Sequence, residues 1–347
     1  MQRKELGKTG IEVSVLCLGS MTWGSQNSEA EGHAQIDMSL DHNVDFIDTA
    51  EMYPVNPVKA ETIGRTEEII GNWIGKTGRR KDIVLATKHS GAGLQVVRDG
   101  EEISSKSIPH VIEGSLKRLQ TDYIDLYQFH WPNRGSYAFR QNWRYDPRAQ
   151  NKGETLAHME DTLGALQKEV DRGTIRSFGL SNESAWGTSQ WLRISEGGTG
   201  PRVASVQNEY SLLHRLYDTD MAELGFNEEV DLLAFSPLAT GLLTGKYQGG
   251  AVPQGSRMSL NENMGGRNTP RAMAAVDAYV EIANRFGLNV TQMALAWCLR
   301  RPFPCIPIFG ATSLEQLKVA LGAGDVSLSD EVLDALDETH KAYPMPY

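Results

Sequence analysis

The sequence predicts an α/β fold: a (β/α)8 TIM barrel with an N-terminal β-hairpin and long loops on the C-terminal face. Eight short apolar runs recur along the chain, at 15–18, 44–47, 83–87, 123–127, 175–180, 203–206, 232–235 and 305–308. They are rich in Val, Ile, Leu and aromatics and lack a clean in/out alternation, as parallel strands covered on both faces do. Helical stripes lie between them. Strands alternating with helices imply a parallel sheet, and a count of eight favours a closed barrel over an open doubly wound sheet.

The elements follow in order. Residues 3–6 and 12–15 around Lys8-Thr9-Gly10 read as a hairpin placed to plug the barrel bottom. Ile69, Ile70, Trp73 and Ile74 form a stripe before Gly75, and Val111, Ile112, Leu116 and Leu119 form another with Pro109 near its start. Leu156, Met159, Leu163, Leu166 and Val170 repeat at helical spacing with Gly173 as the cap, and Ser329 opens a last helix. Three long connections, 91–107, 131–153 and 237–269, each follow a strand. Each is therefore expected on the C-terminal face, where barrel active sites are built.

Composition narrows the function. At 40% hydrophobic and 22% charged, the 347 residues have ordinary globular composition, and 1–347 reads as one barrel domain. A net charge of −10 argues against nucleic acid or an anionic membrane as partner, while leaving room for a local basic pocket. Three cysteines without paired spacing, no leader-like start and no long apolar window suggest a reduced cytoplasmic protein. The pattern leaves oligomeric state open.

Four polar residues stand where apolar runs stop: Asp48, Tyr53, Lys88 and His130. They come from the ends of strands two, three and four, and adjacent strands lie about 4.8 Å apart. The side chains can then converge on one carbonyl. A buried Lys⁺ beside a phenol favours the phenolate, and a carboxylate beside that Lys keeps it charged. Taken singly, Asp48 reads as a strand-end cap and His130 as a core histidine; the joint pattern reads as a proton-transfer site. Later strand ends carry Ser181-Asn182, Gln207-Asn208, Phe235-Ser236-Pro237-Leu238 and Gly310-Ala311-Thr312-Ser313. Ser, Asn and Gln can hold a carboxamide, an aromatic can lie against a heterocycle, and hydroxyls at a helix start can bind phosphate. The glycine-rich stretches at 71–77, 241–246 and 91–96 lack the spacing of phosphate or dinucleotide loops.

Asp48-Thr49-Ala50 with Tyr53, Ser115-Leu116-Lys117-Arg118-Leu119 before Tyr123-Ile124-Asp125-Leu126, and Phe235-Ser236-Pro237-Leu238 resemble the aldo-keto reductase superfamily. The resemblance is strongest to bacterial Tas-like members and to the branch with the potassium-channel β subunits. It implies NADPH-dependent reduction of a small carbonyl substrate, with Tyr53 as general acid, Lys88 and Asp48 tuning it, and His130 orienting the carbonyl. It places Ser181, Asn182 and Gln207 on the nicotinamide carboxamide and Phe235 on its ring. Ser236, Pro237, Leu238, Gly241 and Lys246 would follow the pyrophosphate. Gly310, Thr312, Ser313, Gln316 and Arg257 would meet the adenosine end and its 2′-phosphate, and Thr22 and Trp23 would also touch cofactor. The resemblance leaves NAD open as well, because Val319 and Ala320 stand where relatives often have an acid and an Asn. Trp23 and Trp131 are expected to border substrate with Tyr53 and His130. Tyr137, Phe139, Trp143 and Tyr145 either join that aromatic pocket or pack their loop on the rim. A cofactor-binding redox sensor or regulatory subunit with slow turnover is the alternative reading, and a Schiff-base aldolase using Lys88 is a third.

Overall fold

The computed structural model describes residues 1–55 and 57–347. Eight strands close into a barrel in which every neighbouring pair is parallel. They are β3 (Cys17–Gly19), β4 (Phe46–Asp48), β5 (Val84–His89), β6 (Ile124–Phe129), β7 (Ile175–Ser181), β8 (Val203–Glu209), β9 (Asp231–Phe235) and β10 (Cys305–Phe309). Each lies within a few residues of an apolar run in the sequence. β10 pairs with β3 and closes the ring.

The hairpin is formed by β1 (Arg3–Glu5) and β2 (Glu12–Ser14), which pair antiparallel. Its apolar residues Leu6, Ile11 and Val13 join Cys17, Phe46, Val84, Leu126, Ala204, Leu233 and Ile306 in one buried cluster inside the barrel. The hairpin thus plugs the barrel, as its sequence suggests. Gly7 makes this possible. It has φ +52°, and a Cβ there would lie 2.6 Å from the Ala204 carbonyl oxygen. Asp231 fixes the plug by accepting from the Gly7 N–H at 3.1 Å and pairing with Lys4 at 2.5 Å.

Helices cover the outer face and bury the larger core against the strands. The expected helices are present at Arg65–Thr77, Ser107–Leu119, Lys152–Asp171 and Asp330–Ala342. The first runs through Gly75 and ends at Gly78, whose left-handed conformation (φ 67°) supplies the cap. Two helices, Pro270–Arg285 and Val290–Leu299, lie between β9 and β10 where the repeating plan calls for one. The connection 237–269 holds only short turns and the four-residue helix Arg257–Leu260. No helix among the described residues is long and apolar enough to cross a membrane.

Candidate active site

β4 ends at Asp48, and the chain then turns tightly. Tyr53 N–H donates to Ala50 O at 3.0 Å, and Glu51 N–H donates to Lys88 O at 3.3 Å. Those bonds hold the Tyr53 turn against the end of β5. Lys88 is wholly buried, with Nζ 2.6 Å from Asp48 Oδ2, 2.7 Å from Thr49 O and 3.5 Å from Tyr53 Oη. His130 follows β6, and its ring centroid lies 5.8 Å from that of Tyr53. The structure therefore brings all four residues together.

Their protonation follows from burial and charge. Burial by itself would drive the Lys88 ammonium down. Asp48 and then Tyr53 outweigh it, so Lys88 is raised above its ordinary 10.5 and stays charged. Burial raises Tyr53, the Lys88 charge pulls it down, and the net value stands above the ordinary 10.0. This corrects the expectation of an acidified phenol: the pull of Lys88 is present but smaller than desolvation. Tyr53 keeps its proton at neutral pH. Burial, and then Lys88, hold His130 well below 6.5, so its imidazole is neutral. Its Nδ1 is enclosed without a hydrogen-bond partner.

The other Asp48 oxygen meets two amides. Gln207 Nε2 donates to Oδ1 at 2.8 Å and Gln128 Nε2 at 3.2 Å. Gln128 escapes the motif-based reading, yet the signal exists. It is a polar residue inside an apolar strand, two positions before His130 and hence on the same face. Glu51, in the turn after β4, escapes it as well. It accepts from Ser90 N–H at 2.6 Å and pairs with Arg98, tying the 91–107 loop to the Tyr53 turn.

On the far side of the mouth, Ser181 donates to Gln207 O at 2.8 Å. Asn182 has φ 54°, and its Nδ2 donates to His130 O at 2.9 Å and to Ser181 Oγ at 3.0 Å. Its Oδ1 is enclosed with no donor. Phe235 is half-buried at the end of β9. Beyond it the backbone is left-handed at Ser236, Ala239, Thr240 and Gly241, with Pro237 buried and Leu238 half-buried between them. A Cβ on Gly241 would lie 3.5 Å from Lys246 Nζ, so that ammonium lies alongside bare backbone. Arg257 is half-buried without a carboxylate partner among the described residues, and burial and the nearby Arg267 lower its pKa. Gly310 and Gln316 are exposed and Thr312 and Ser313 half-buried. Gln316 Oε1 accepts from Thr312 N and Oγ1, both at 3.1 Å, and Ser313 caps the helix Leu314–Leu321.

Trp23 departs from expectation. It is fully buried, donates its indole N–H to Gln35 at 3.1 Å, and packs beside Gly32. Its side chain belongs to the helix-side core. Thr22 is buried too, with its hydroxyl on Asn27 Oδ1 at 2.8 Å. Met21 at this turn is half-exposed, and its carbonyl accepts from Val55 N–H at 3.0 Å, two residues beyond Tyr53.

Trp131 stays at the mouth, 5.0 Å from the His130 ring and 6.3 Å from the Phe139 ring. Tyr145 does not join them. It lines a separate cavity of about 650 Å³ under the 131–153 loop, floored by Phe129, Leu180 and Trp191. Trp143 faces solvent. The tail ends at the mouth: buried Tyr347 lies 3.3 Å from Glu209 Oε1, which also pairs with Arg267 at 2.7 Å. Among the described residues no cluster of His, Cys, Asp and Glu could hold a metal ion.

Residues 15–341 match the model of the aldo/keto reductase family. The chain is 41% identical to "Protein tas" of Escherichia coli K12, over 100% of this chain and 99% of that protein. It is 33% identical to a "Probable voltage-gated potassium channel subunit beta" of Arabidopsis thaliana, covering 99% and 98%. It is 31% identical to the "Uncharacterized oxidoreductase YrpG" of Bacillus subtilis, covering 97% and 95%. With the matched span reaching from the first barrel strand into the last helix, this chain belongs to the aldo/keto reductase family.

Proposed function

We propose that this oxidoreductase reduces aldehydes or ketones to alcohols with NADPH, with Tyr53 as the general acid. One observation carries the reading. A protonated, buried phenol stands 3.5 Å from an ammonium that Asp48 fixes at 2.6 Å, beside a neutral imidazole. His130, uncharged, can donate a hydrogen bond to a carbonyl oxygen and orient it without competing as an acid. As negative charge grows on that oxygen, Tyr53 passes its proton across. The phenolate left behind lies beside Lys88, whose charge stabilises it. Trp131 would border the substrate with Tyr53 and His130.

The residues present fit a nicotinamide dinucleotide, which when bound supplies the hydride. The enclosed, donorless Asn182 Oδ1 suits a carboxamide N–H, with Ser181 and Gln207 beside it. Phe235 offers its ring to the heterocycle. Ser236, Pro237, Leu238, Gly241 and Lys246 would follow the pyrophosphate, and Gly310, Thr312, Ser313 and Gln316 the adenosine end. Among the described residues Arg257 has no acid to neutralise it, in a chain of net charge −10, which favours a cofactor with an additional phosphate over NADH.

The test is a panel of aldehydes and ketones run with NADPH and with NADH, on wild type and Tyr53→Phe. Wild type should turn over with NADPH, and Tyr53→Phe should lose about 10²–10⁴-fold in turnover with NADPH binding intact. Unchanged turnover in Tyr53→Phe would remove Tyr53 from its role. Tight NADPH binding with no turnover on any carbonyl would favour the sensor reading.

A further inference from the structure

We infer that Gln128 is a positioning residue. With Asp48 it locks the Gln207 amide so that its oxygen faces the mouth and accepts a proton from the nicotinamide carboxamide. The inference rests on the cofactor reading given above and adds to it the residue that sets the polarity of that contact.

The argument is one of donors and acceptors. The Asp48 carboxylate, paired through Oδ2 with the Lys88 ammonium at 2.6 Å, only accepts. Gln207 and Gln128 both approach its Oδ1, at 2.8 and 3.2 Å. An amide oxygen at either place would set acceptor against acceptor, so both amides must present nitrogen. The oxygen of Gln128 is then turned toward Gln207 Nε2 and accepts its second proton at 3.2 Å. Both N–H groups of Gln207 are thereby consumed inside the barrel. Its Oε1 receives no hydrogen bond from any described residue.

Packing holds the arrangement. Gln128 is wholly buried. The residue paired with it on β7 is Gly179, and a Cβ there would lie 3.3 Å from Gln128 Cγ and 2.6 Å from Ser205 Oγ. The glycine leaves the room that the glutamine fills. Ser181 and Gln207 are register partners on β7 and β8, so Gln207 Oε1 and the donorless Asn182 Oδ1 are offered from adjacent strands. Two acceptor oxygens suit a group with two N–H protons. Without Gln128 the second Gln207 proton has no partner, and the single bond to Asp48 Oδ1 is left to hold the amide against rotation.

The test compares equilibrium binding of NADP⁺ with that of its 3-acetylpyridine analogue, whose acetyl group has no N–H to give. Dissociation constants come from quenching of protein fluorescence in wild type and in Gln128→Met, which keeps the length and removes the hydrogen bonds. Wild type should prefer NADP⁺ by roughly five- to tenfold, the worth of one such bond. Gln128→Met should reduce that preference to about twofold or less, with affinity for the analogue little changed. A merely structural defect would weaken both dinucleotides alike and leave the ratio standing, which overturns the inference. A wild type without preference overturns it too, with no variant needed should Gln128→Met fail to fold. Failure of wild type to bind either dinucleotide overturns the cofactor reading itself, and this inference with it.

Discussion

Two sets of polar residues share the C-terminal face, and they are built in opposite ways. Asp48, Lys88, Gln128 and Gln207 sit on strand residues, and none is more than 2% exposed. Each is bonded to another member of the set. Lys246, Arg257, Thr312 and Gln316 sit on loops or a helix start and are half or fully exposed. Arg257 has no acid partner among the described residues. The first set is completed by folding, and the second is left for a ligand to complete. Damage to the first should therefore cost stability as well as turnover, and damage to the second should cost affinity alone.

Lys88→Met probes that difference most strongly. It leaves the Asp48 carboxylate buried without a counter-charge, which costs about 3–5 kcal/mol when one partner of a buried pair is removed. It also strips the phenolate of its cation, for a loss of turnover on the order of 10²–10⁴-fold. Urea unfolding and steady-state rates check the two halves separately. Full stability with lost turnover would break the comparison, because the ion pair would then be poised for chemistry without being part of the core.

Acid sharpens the same contrast. His89, next to Lys88, is held down to about 3 by burial and then by Arg98. Its ring is bonded to Ser90 O at 2.8 Å and Ser107 Oγ at 2.9 Å. An unfolded histidine takes a proton near its ordinary 6.5, and this folded one does not until about 3. Above 6.5 the group contributes nothing. As pH falls below 6.5 the unfolded state gains a proton that the native state refuses, and stability drops by roughly 1.4 kcal/mol per pH unit. His130, held low in the same sense, adds its own share. Urea midpoints measured downward from pH 7 should fall accordingly, and His89→Gln should lessen the slope. The neutral His130 also predicts no break in reductive turnover near 6.5.

The two sets were not equally legible in the sequence. Asp48, Tyr53, Lys88 and His130 announce themselves because a polar residue ending an apolar run is visible without coordinates. The same rule marks Gln207 and Gln128, each directly after an apolar run, but says nothing of their bonds to Asp48. The apolar run at 203–206 stops where Gln207 begins, yet β8 continues to Glu209 because the backbone ladder does not depend on side-chain polarity. Gln128 lies within such a ladder and bears no motif. The burial of Trp23 was not legible, because a tryptophan in a loop above a barrel points to the mouth or to the core according to the backbone of one turn. The Arg267–Glu209–Tyr347 cluster joins residues far apart in the chain, and no local pattern encodes it.

Arg257→Ala tests the ligand-completed set. The arginine has no hydrogen-bonded or ion-pair partner among the described residues to lose, so the melting temperature should not move. A charge-assisted bond to a phosphate is worth roughly tenfold or more in affinity, and NADPH binding should weaken by that factor while NADH binding does not. Titration of both cofactors on the same variant decides it. An equal loss for both would place Arg257 on the shared pyrophosphate, and a fall in melting temperature would move it into the set completed by folding.

The smallest effect lies on the boundary between the sets. Gln35 is buried, accepts from the Trp23 indole at 3.1 Å and donates to Ala311 O at 3.1 Å, one residue before Thr312. Trp23→Phe keeps one aromatic ring but shrinks a fully buried side chain and removes the donor, leaving Gln35 Oε1 without its bond; the lost bond alone costs about 1 kcal/mol. A core residue should lose at least that much stability while kcat/KM holds. A residue touching substrate should do the reverse. If NADPH affinity falls together with stability, the Gln35 link carries strain from the core to the adenosine end, and the two sets are less separate than their burial suggests.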